Sequence, residues 1–223
     1  MKRLRGKGRA LFLICFFLAV AASFAFVKFA EREKAAGSPE ELKREWQQAS
    51  PGGRVLRSGD LIFRHSRGTI SNMLLHFSRS DARYSHAGIL SVEGGQVFVY
   101  HALGGEATRH SELRREPLET FCRPATVHSF GIYRLDLSRE QLSKALSLAK
   151  KDWLERIPFD TKYDLQSDSA MYCTEFVYKV VMQASGDKNY ITLTKVPGFT
   201  YVACDNLYRN KHATLIYSHA YSD

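Results

Sequence analysis

A thiol and two imidazoles carry most of the chemistry this sequence can offer. Cys173 stands in Tyr172-Cys173-Thr174-Glu175-Phe176-Val177, at the expected start of a helix. Unpaired backbone N–H groups and the helix dipole favour a thiolate there. An imidazole beside such a thiol accepts its proton and later protonates the leaving group, and a third polar group orients the imidazole by holding its other nitrogen. His86 and His101 are the candidates for these two roles. They flank Glu93-Gly94-Gly95-Gln96, a hairpin signal with a glycine pair at the turn. With that turn, Gly88 opposes His101 and His86 opposes Leu103, so both histidines face the same way as diagonal neighbours, about 7–8 Å apart at the backbone. A slip of one residue moves His101 to the other face. No spacing rule forces Cys173 toward this pair. A structural cysteine with two sheet histidines remains the alternative on residue types alone, as does a zinc site built from His86, His101 and Cys173.

The elements that must position these groups read as α+β. Leu61-Ile62-Phe63 follows the turn Ser58-Gly59-Asp60 as a short strand, with Asp60 in a turn-forming role. Ile70, Met73, Leu74 and Phe77 have the spacing of a helix with one buried face. Two strands flank the glycine turn between Tyr84 and Ala102, and another runs from Val127 to Leu135. Ser138-Arg139-Glu140-Gln141 is a capping box, and Leu142, Ala145, Leu146, Ala149 and Trp153 form the stripe of the helix behind it. Phe176, Val177, Val180 and Val181 mark a second long helix, and Ala213 to Tyr217 a closing strand. An antiparallel sheet with helices packed against it accounts for this mixture.

The N-terminus reads as a membrane device. Residues 1–9 form a basic cytoplasmic segment. Ala10 to Val27 are 18 consecutive uncharged residues, about 27 Å of helix, close to the hydrocarbon thickness of a bilayer. Residues 10–29 are thus expected to be a transmembrane anchor, with Ala19-Val20-Ala21 leaving open a cleaved signal peptide. The basic flank keeps the N-terminus cytoplasmic and places the rest on the periplasmic side of the inner membrane. Residues 30–57 are a polar tether with one short helix, and 58–223 form the catalytic domain. The net charge of +9 owes five units to Lys2, Arg3, Arg5, Lys7 and Arg9, and no basic run adjoins an aromatic platform, so no nucleic-acid partner is expected. Export bears on Cys122 and Cys204. They either pair, closing a long loop, or stay buried free thiols.

Four ordered blocks sharpen the reading: Gly59-Asp60-Leu61-Ile62-Phe63, Tyr84-Ser85-His86-Ala87-Gly88-Ile89, Tyr163-Asp164-Leu165, and the Cys173 block. Together they resemble the permuted papain-like cysteine hydrolases of the YiiX and YebB group, NlpC-type proteins related to lecithin retinol acyltransferase. The resemblance spans about residues 57–185 and implies a circularly permuted papain-like fold, with Cys173 as nucleophile and His86 as base. It implies no cofactor and no metal. The group generally carries glutamate at the orienting position, where this sequence has His101; either type can hold a ring nitrogen. Tyr163 and Tyr172 are candidates for an oxyanion or substrate contact, or else packing residues, and Glu175 reads as a first-turn helix charge. The implied activity is cleavage of an amide or ester through a thioacyl-enzyme. The substrate is then an envelope peptide or peptidoglycan fragment, or, given the acyltransferase kinship, a lipid.

Overall fold

The computed structural model describes residues 56–104 and 111–222. The predicted basic segment, membrane anchor and most of the tether lie outside these residues. Among the described residues no helix is long and apolar enough to cross a membrane.

The elements run β1 (Leu61–Ser66), α1 (Thr69–Leu75), β2 (His86–Glu93), β3 (Gln96–Leu103), β4 (Glu112–Pro117), α2 (Leu118–Phe121), β5 (Val127–Leu135), α3 (Arg139–Leu154), α4 (Cys173–Ser185), β6 (Thr194–Val196), β7 (Phe199–Tyr201), α5 (Cys204–Tyr208) and β8 (Ala213–Ala220). Six strands form one antiparallel sheet in the order β4-β3-β2-β1-β5-β8, and β6 and β7 make a separate hairpin. Strand alternation divides the interior in two. Leu61, Phe63, Ala87, Ile89, Tyr100 and Tyr133 pack beneath α3 and α4 with Ala145, Phe176 and Val177. Ile62, Leu90, Val99, Phe130 and Ile132 form a smaller cluster on the opposite face, with Phe121 and Cys122.

Chain entry to the sheet is fixed by a buried ion pair. The Asp60 carboxylate accepts from Arg57 N–H and from the Arg134 guanidinium on β5, all at 2.8 Å, which is its turn role carried one strand further. The Ser138 capping box forms as expected, with Ser138 Oγ accepting Gln141 N–H and the Gln141 side chain answering at Ser138 N–H.

The hairpin register is the one that places both histidines on one face. Glu93 pairs with Gln96 and Ile89 with Tyr100, and Gly94 and Gly95 both adopt positive φ (56° and 84°), as a primed two-residue turn needs. Gly88 lies under the pair because nothing larger fits. A Cβ there would stand 2.5 Å from a Val99 methyl, 3.0 Å from the Tyr100 carbonyl and 3.3 Å from His101 Cβ.

One expectation changes, and one open alternative is resolved in favour of the buried free thiols. The helix expected to carry Ile70, Met73, Leu74 and Phe77 forms as α1 but ends at Leu75, before Phe77, and that stripe is not its buried side. Its one buried residue is Ser71, whose hydroxyl meets Ser85 Oγ just before β2. A polar peg therefore turns the apolar stripe outward. Cys122 and Cys204 do not pair; all three described cysteines are free and buried. The sheet separates them, with Cys122 in the smaller cluster and Cys204 in the one beneath the helices.

Candidate functional site

His86 and His101 meet at the middle of the sheet. His86 Nε2 and His101 Nδ1 are 2.9 Å apart, with the rings nearly perpendicular at 87°. His101 is wholly buried, and its Nε2 lies 3.1 Å from Glu116 Oε1 on β4. These contacts admit one consistent set of tautomers. A carboxylate at His101 Nε2 keeps the proton on that nitrogen and leaves Nδ1 as an acceptor. His86 then carries its proton on Nε2, and its Nδ1 is left as a free base.

Arg64 completes the polar cluster. It faces His86 across the β1–β2 ladder, donates to Phe121 O at 2.7 Å, lies 3.8 Å from Glu116, and stacks 4.2 Å above the Phe121 ring. Sequence reasoning missed both Arg64 and Glu116. Glu116 sits in Glu112-Leu113-Arg114-Arg115-Glu116-Pro117, where four charges in six residues hide the strand. The available signal was the alternation that puts Glu116 and His101 on one face.

Burial sets the protonation of the site. It pushes the His86 ring well below the ordinary histidine value, with the Arg64 charge and His101 acting in the same direction. The His101 ring is also lowered, chiefly by burial and against the pull of Glu116. Although burial pushes the Glu116 carboxyl up, the His101 ring and Arg64 hold it below the usual range. Each imidazole is therefore neutral in the folded protein. At pH values below about 6.5 the unfolded chain binds a proton on each ring that the folded chain refuses. Stability is thus full above that pH and declines as pH falls, by about 1.4 kcal/mol per pH unit for each histidine still unprotonated in the fold. Thermal unfolding between pH 7.5 and 5 should show Tm dropping steeply below 6.5. A flat Tm over that interval contradicts buried neutral imidazoles.

Cys173 opens α4 and is 8% exposed. Its sulfur lies against the peptide that follows His86, where the N–H groups of Ala87, Thr174 and Cys173 itself converge. Burial nevertheless outweighs these donors and Arg64, and it pushes the thiol above the ordinary cysteine value. The helix start alone does not make a resting thiolate. The thiol is protonated at rest, and ionising it requires a base.

The start of α4 is anchored on all sides. Glu175, fully buried, accepts from Tyr172 N–H at 3.1 Å and pairs with Lys179 at 2.9 Å, which makes it the first-turn helix charge the sequence suggests. Thr174 Oγ1 donates to Val202 O at 2.6 Å, and Val202 N–H donates to the Tyr172 hydroxyl at 2.9 Å. Tyr172 thus clamps α4 to the segment after β7, the packing role of its two readings. Tyr163 differs. The buried Asp160 carboxylate gathers the N–H groups of Lys162 and Asp164, and this tight loop holds Tyr163 at φ 57°, a costly backbone for a non-glycine residue. Its phenol is pushed up by burial and by the nearby Cys173.

Beside the sulfur runs a groove with about 500 Å³ of empty space, mouth included. Leu74, Phe77, Phe159, Phe199, Tyr201 and Val202 supply its apolar walls, and Tyr163, Cys173 and Cys204 line it too. Among the described residues no group of three or more His, Cys, Asp or Glu side chains is set to hold a metal ion. Three of the four imidazole nitrogens face each other or Glu116, which leaves His86 Nδ1 as the one ring nitrogen open to a ligand.

The comparisons with known proteins agree with this architecture. The chain is 30% identical over 132 residues to the uncharacterized protein YiiX of Escherichia coli strain K12, covering 58% of this chain and 59% of the relative. It thus spans rather more than half the length of that curated relative. The crystal structure of metalloprotein yiiX from Escherichia coli O157:H7 has the same fold, with a TM-score of 0.61 at 22% identity, covering 74% of this chain and 98% of the other. A family model described as a permuted papain-like amidase enzyme matches residues 55–217, which takes in the sheet up to the middle of β8 and the long helices behind it. With a histidine pair on the sheet and a cysteine opening the helix packed on it, the chain belongs to the YaeF/YiiX, C92 family of permuted papain-like amidases.

Proposed function

We propose that this protein is a cysteine hydrolase that cleaves the amide or ester bond of an apolar acyl group through a thioacyl-enzyme. His86 Nδ1 takes the Cys173 proton as sulfur attacks the acyl carbonyl, and the oxyanion forms among the backbone N–H groups at the helix start, with the Tyr163 hydroxyl as a further donor. Collapse breaks the C–N or C–O bond, His86 returns the proton to the departing amine or alcohol, and acyl remains on sulfur. Water, deprotonated by His86, then releases the carboxylic acid and restores the thiol. His101 and Glu116 hold the tautomer this cycle needs.

The observation that carries the substrate class is the groove at Cys173. Its walls of Leu, Phe, Tyr and Val suit an alkyl chain and offer few partners to the amides of a peptide. This favours the lipid acyl group over the peptidoglycan fragment. The run from Ala10 to Val27 supports a periplasmic or other extracytoplasmic domain tethered to the inner membrane. The yiiX protein of Escherichia coli O157:H7 is called a metalloprotein, but the donor set among the described residues does not fit a metal.

Mass analysis of acid-quenched mixtures tests the reading. Given p-nitrophenyl acetate, butyrate, octanoate and laurate, Cys173 should carry the acyl mass, with kcat/KM rising about tenfold or more from acetate to octanoate as methylenes enter the groove. Labelling by acetyl-alanyl p-nitrophenyl ester in preference to octanoate would transfer the reading to peptides.

A further inference from the structure

The stripe of Ile70, Met73 and Phe77 is turned outward, and the sheet packs against the serine side of the same helix. Ile70 is 63% exposed, Met73 59% and Phe77 44%, while Phe199 at the tip of the β6–β7 hairpin is 39% exposed. Phe77 and Phe199 are continuous through Tyr201. Phe77 meets Tyr201 edge-on at 5.7 Å, Tyr201 stacks on Phe199 at 5.5 Å, and the Tyr201 hydroxyl donates to Phe77 O at 2.9 Å. Phe77 and Phe199 also line the groove, so they form its mouth, while Ile70 and Met73 stand exposed on α1. Exposed apolar side chains beside an apolar groove mark a surface that is covered when the protein works.

Charge identifies the cover. Arg79 beyond α1 and Lys195 on the hairpin are exposed, as is Arg83, which pairs with Asp81; Arg64 is turned away toward Glu116 and Phe121. Apolar side chains flanked by exposed cations are the pattern of a protein face that lies in an anionic lipid interface. The uncharged run from Ala10 to Val27 would keep such a face within reach of a bilayer.

We infer that the α1 stripe and the β6–β7 tip seat on an anionic lipid bilayer, so that an acyl chain passes from the bilayer into the groove without crossing water. The inference rests on the acyl reading above for its substrate, but not for the docking itself. Ile70 and Met73 do not line the groove, so they separate docking from chemistry.

The test uses the full chain with vesicles of phosphatidylcholine and phosphatidylglycerol carrying brominated acyl chains. Met73→Trp should add a quenched, blue-shifted emission component over that of the wild type, whose tryptophans are Trp46 and Trp153. A component at Met73→Trp that is unquenched by brominated lipid overturns the inference. So does one that shifts with protein concentration instead of lipid, because the stripe is then a self-association face. A second arm compares p-nitrophenyl palmitate embedded in the vesicles with dissolved p-nitrophenyl butyrate. Ile70→Glu with Met73→Glu should lose about tenfold or more in kcat/KM on the embedded ester and keep the dissolved one. Equal rates on both overturn the docking. Absence of activity on either ester in the wild type refutes the acyl reading instead, and leaves the quenching to decide the docking.

Discussion

Cys173→Ala is expected to stop turnover altogether, with rates falling on the order of 10⁴-fold or more, because no other group near the groove can form the acyl bond. Cys204 also borders the groove, but burial pushes its thiol well above the ordinary value, with the Cys173 and Asp205 charges adding to the push. It has no imidazole in its described contacts to take the proton. The substitution removes one sulfur beside an already open groove, so the variant should unfold within about 1–2 kcal/mol of the parent. Cys122→Ala is the matching control. Cys122 lies across the sheet in the smaller cluster, and its loss should leave the acyl mass on Cys173. Steady-state rates, denaturant melts and the mass of the acid-quenched protein decide the matter together. A folded Cys173→Ala protein with undiminished kcat removes the thioacyl route.

The second large effect belongs to His101. Its ring stands between a base and a carboxylate, accepting at Nδ1 from His86 and presenting Nε2–H to Glu116. Alanine removes both contacts, frees the His86 ring to turn, and leaves Glu116 half-buried beside Arg64. A loss of about 10²–10⁴-fold in kcat is expected, the scale of a misplaced general base. Glutamine should recover much of it, since its carbonyl accepts from His86 while its amide donates to Glu116. Glutamate is the informative third variant. The relatives' preference for glutamate suggests it as a substitute, but here it would bring two carboxylates together in a buried site, where one must take up a proton. The expected order is His, Gln, Glu, Ala, with Glu gaining activity toward acid pH. A Glu variant as active as wild type at pH 8 would show that Glu116 does not act on this position.

The strongest sequence signals were the periodic ones. The Ser138 box, the stripe of α3, the strand from Val127 and the glycine turn all appear where their patterns place them, and the histidine pair follows from the turn by counting. What escaped was decided by contact partners rather than by pattern. The strand of Glu116 is charged along most of its length because Arg114, Arg115 and Glu116 find partners or solvent there, and alternation drowns in such a composition. The outward face of α1 depends on a contact between Ser71 and Ser85, fourteen residues apart, which no helical stripe can announce. The rise of the Cys173 pKa could not be read from a helix start, because it comes from burial that only the assembled groove supplies.

The glycine turn at the far end of the β2–β3 hairpin touches nothing in the site, yet it has a consequence for how this family can change. Its two residues set the count between His86 and His101. A slip of one residue in the pairing this tip sets would turn one imidazole into the packing beneath α4 and end the chemistry. An added residue is tolerable where it enlarges the loop, as in three- to five-residue hairpin connections, and leaves Glu93 opposite Gln96.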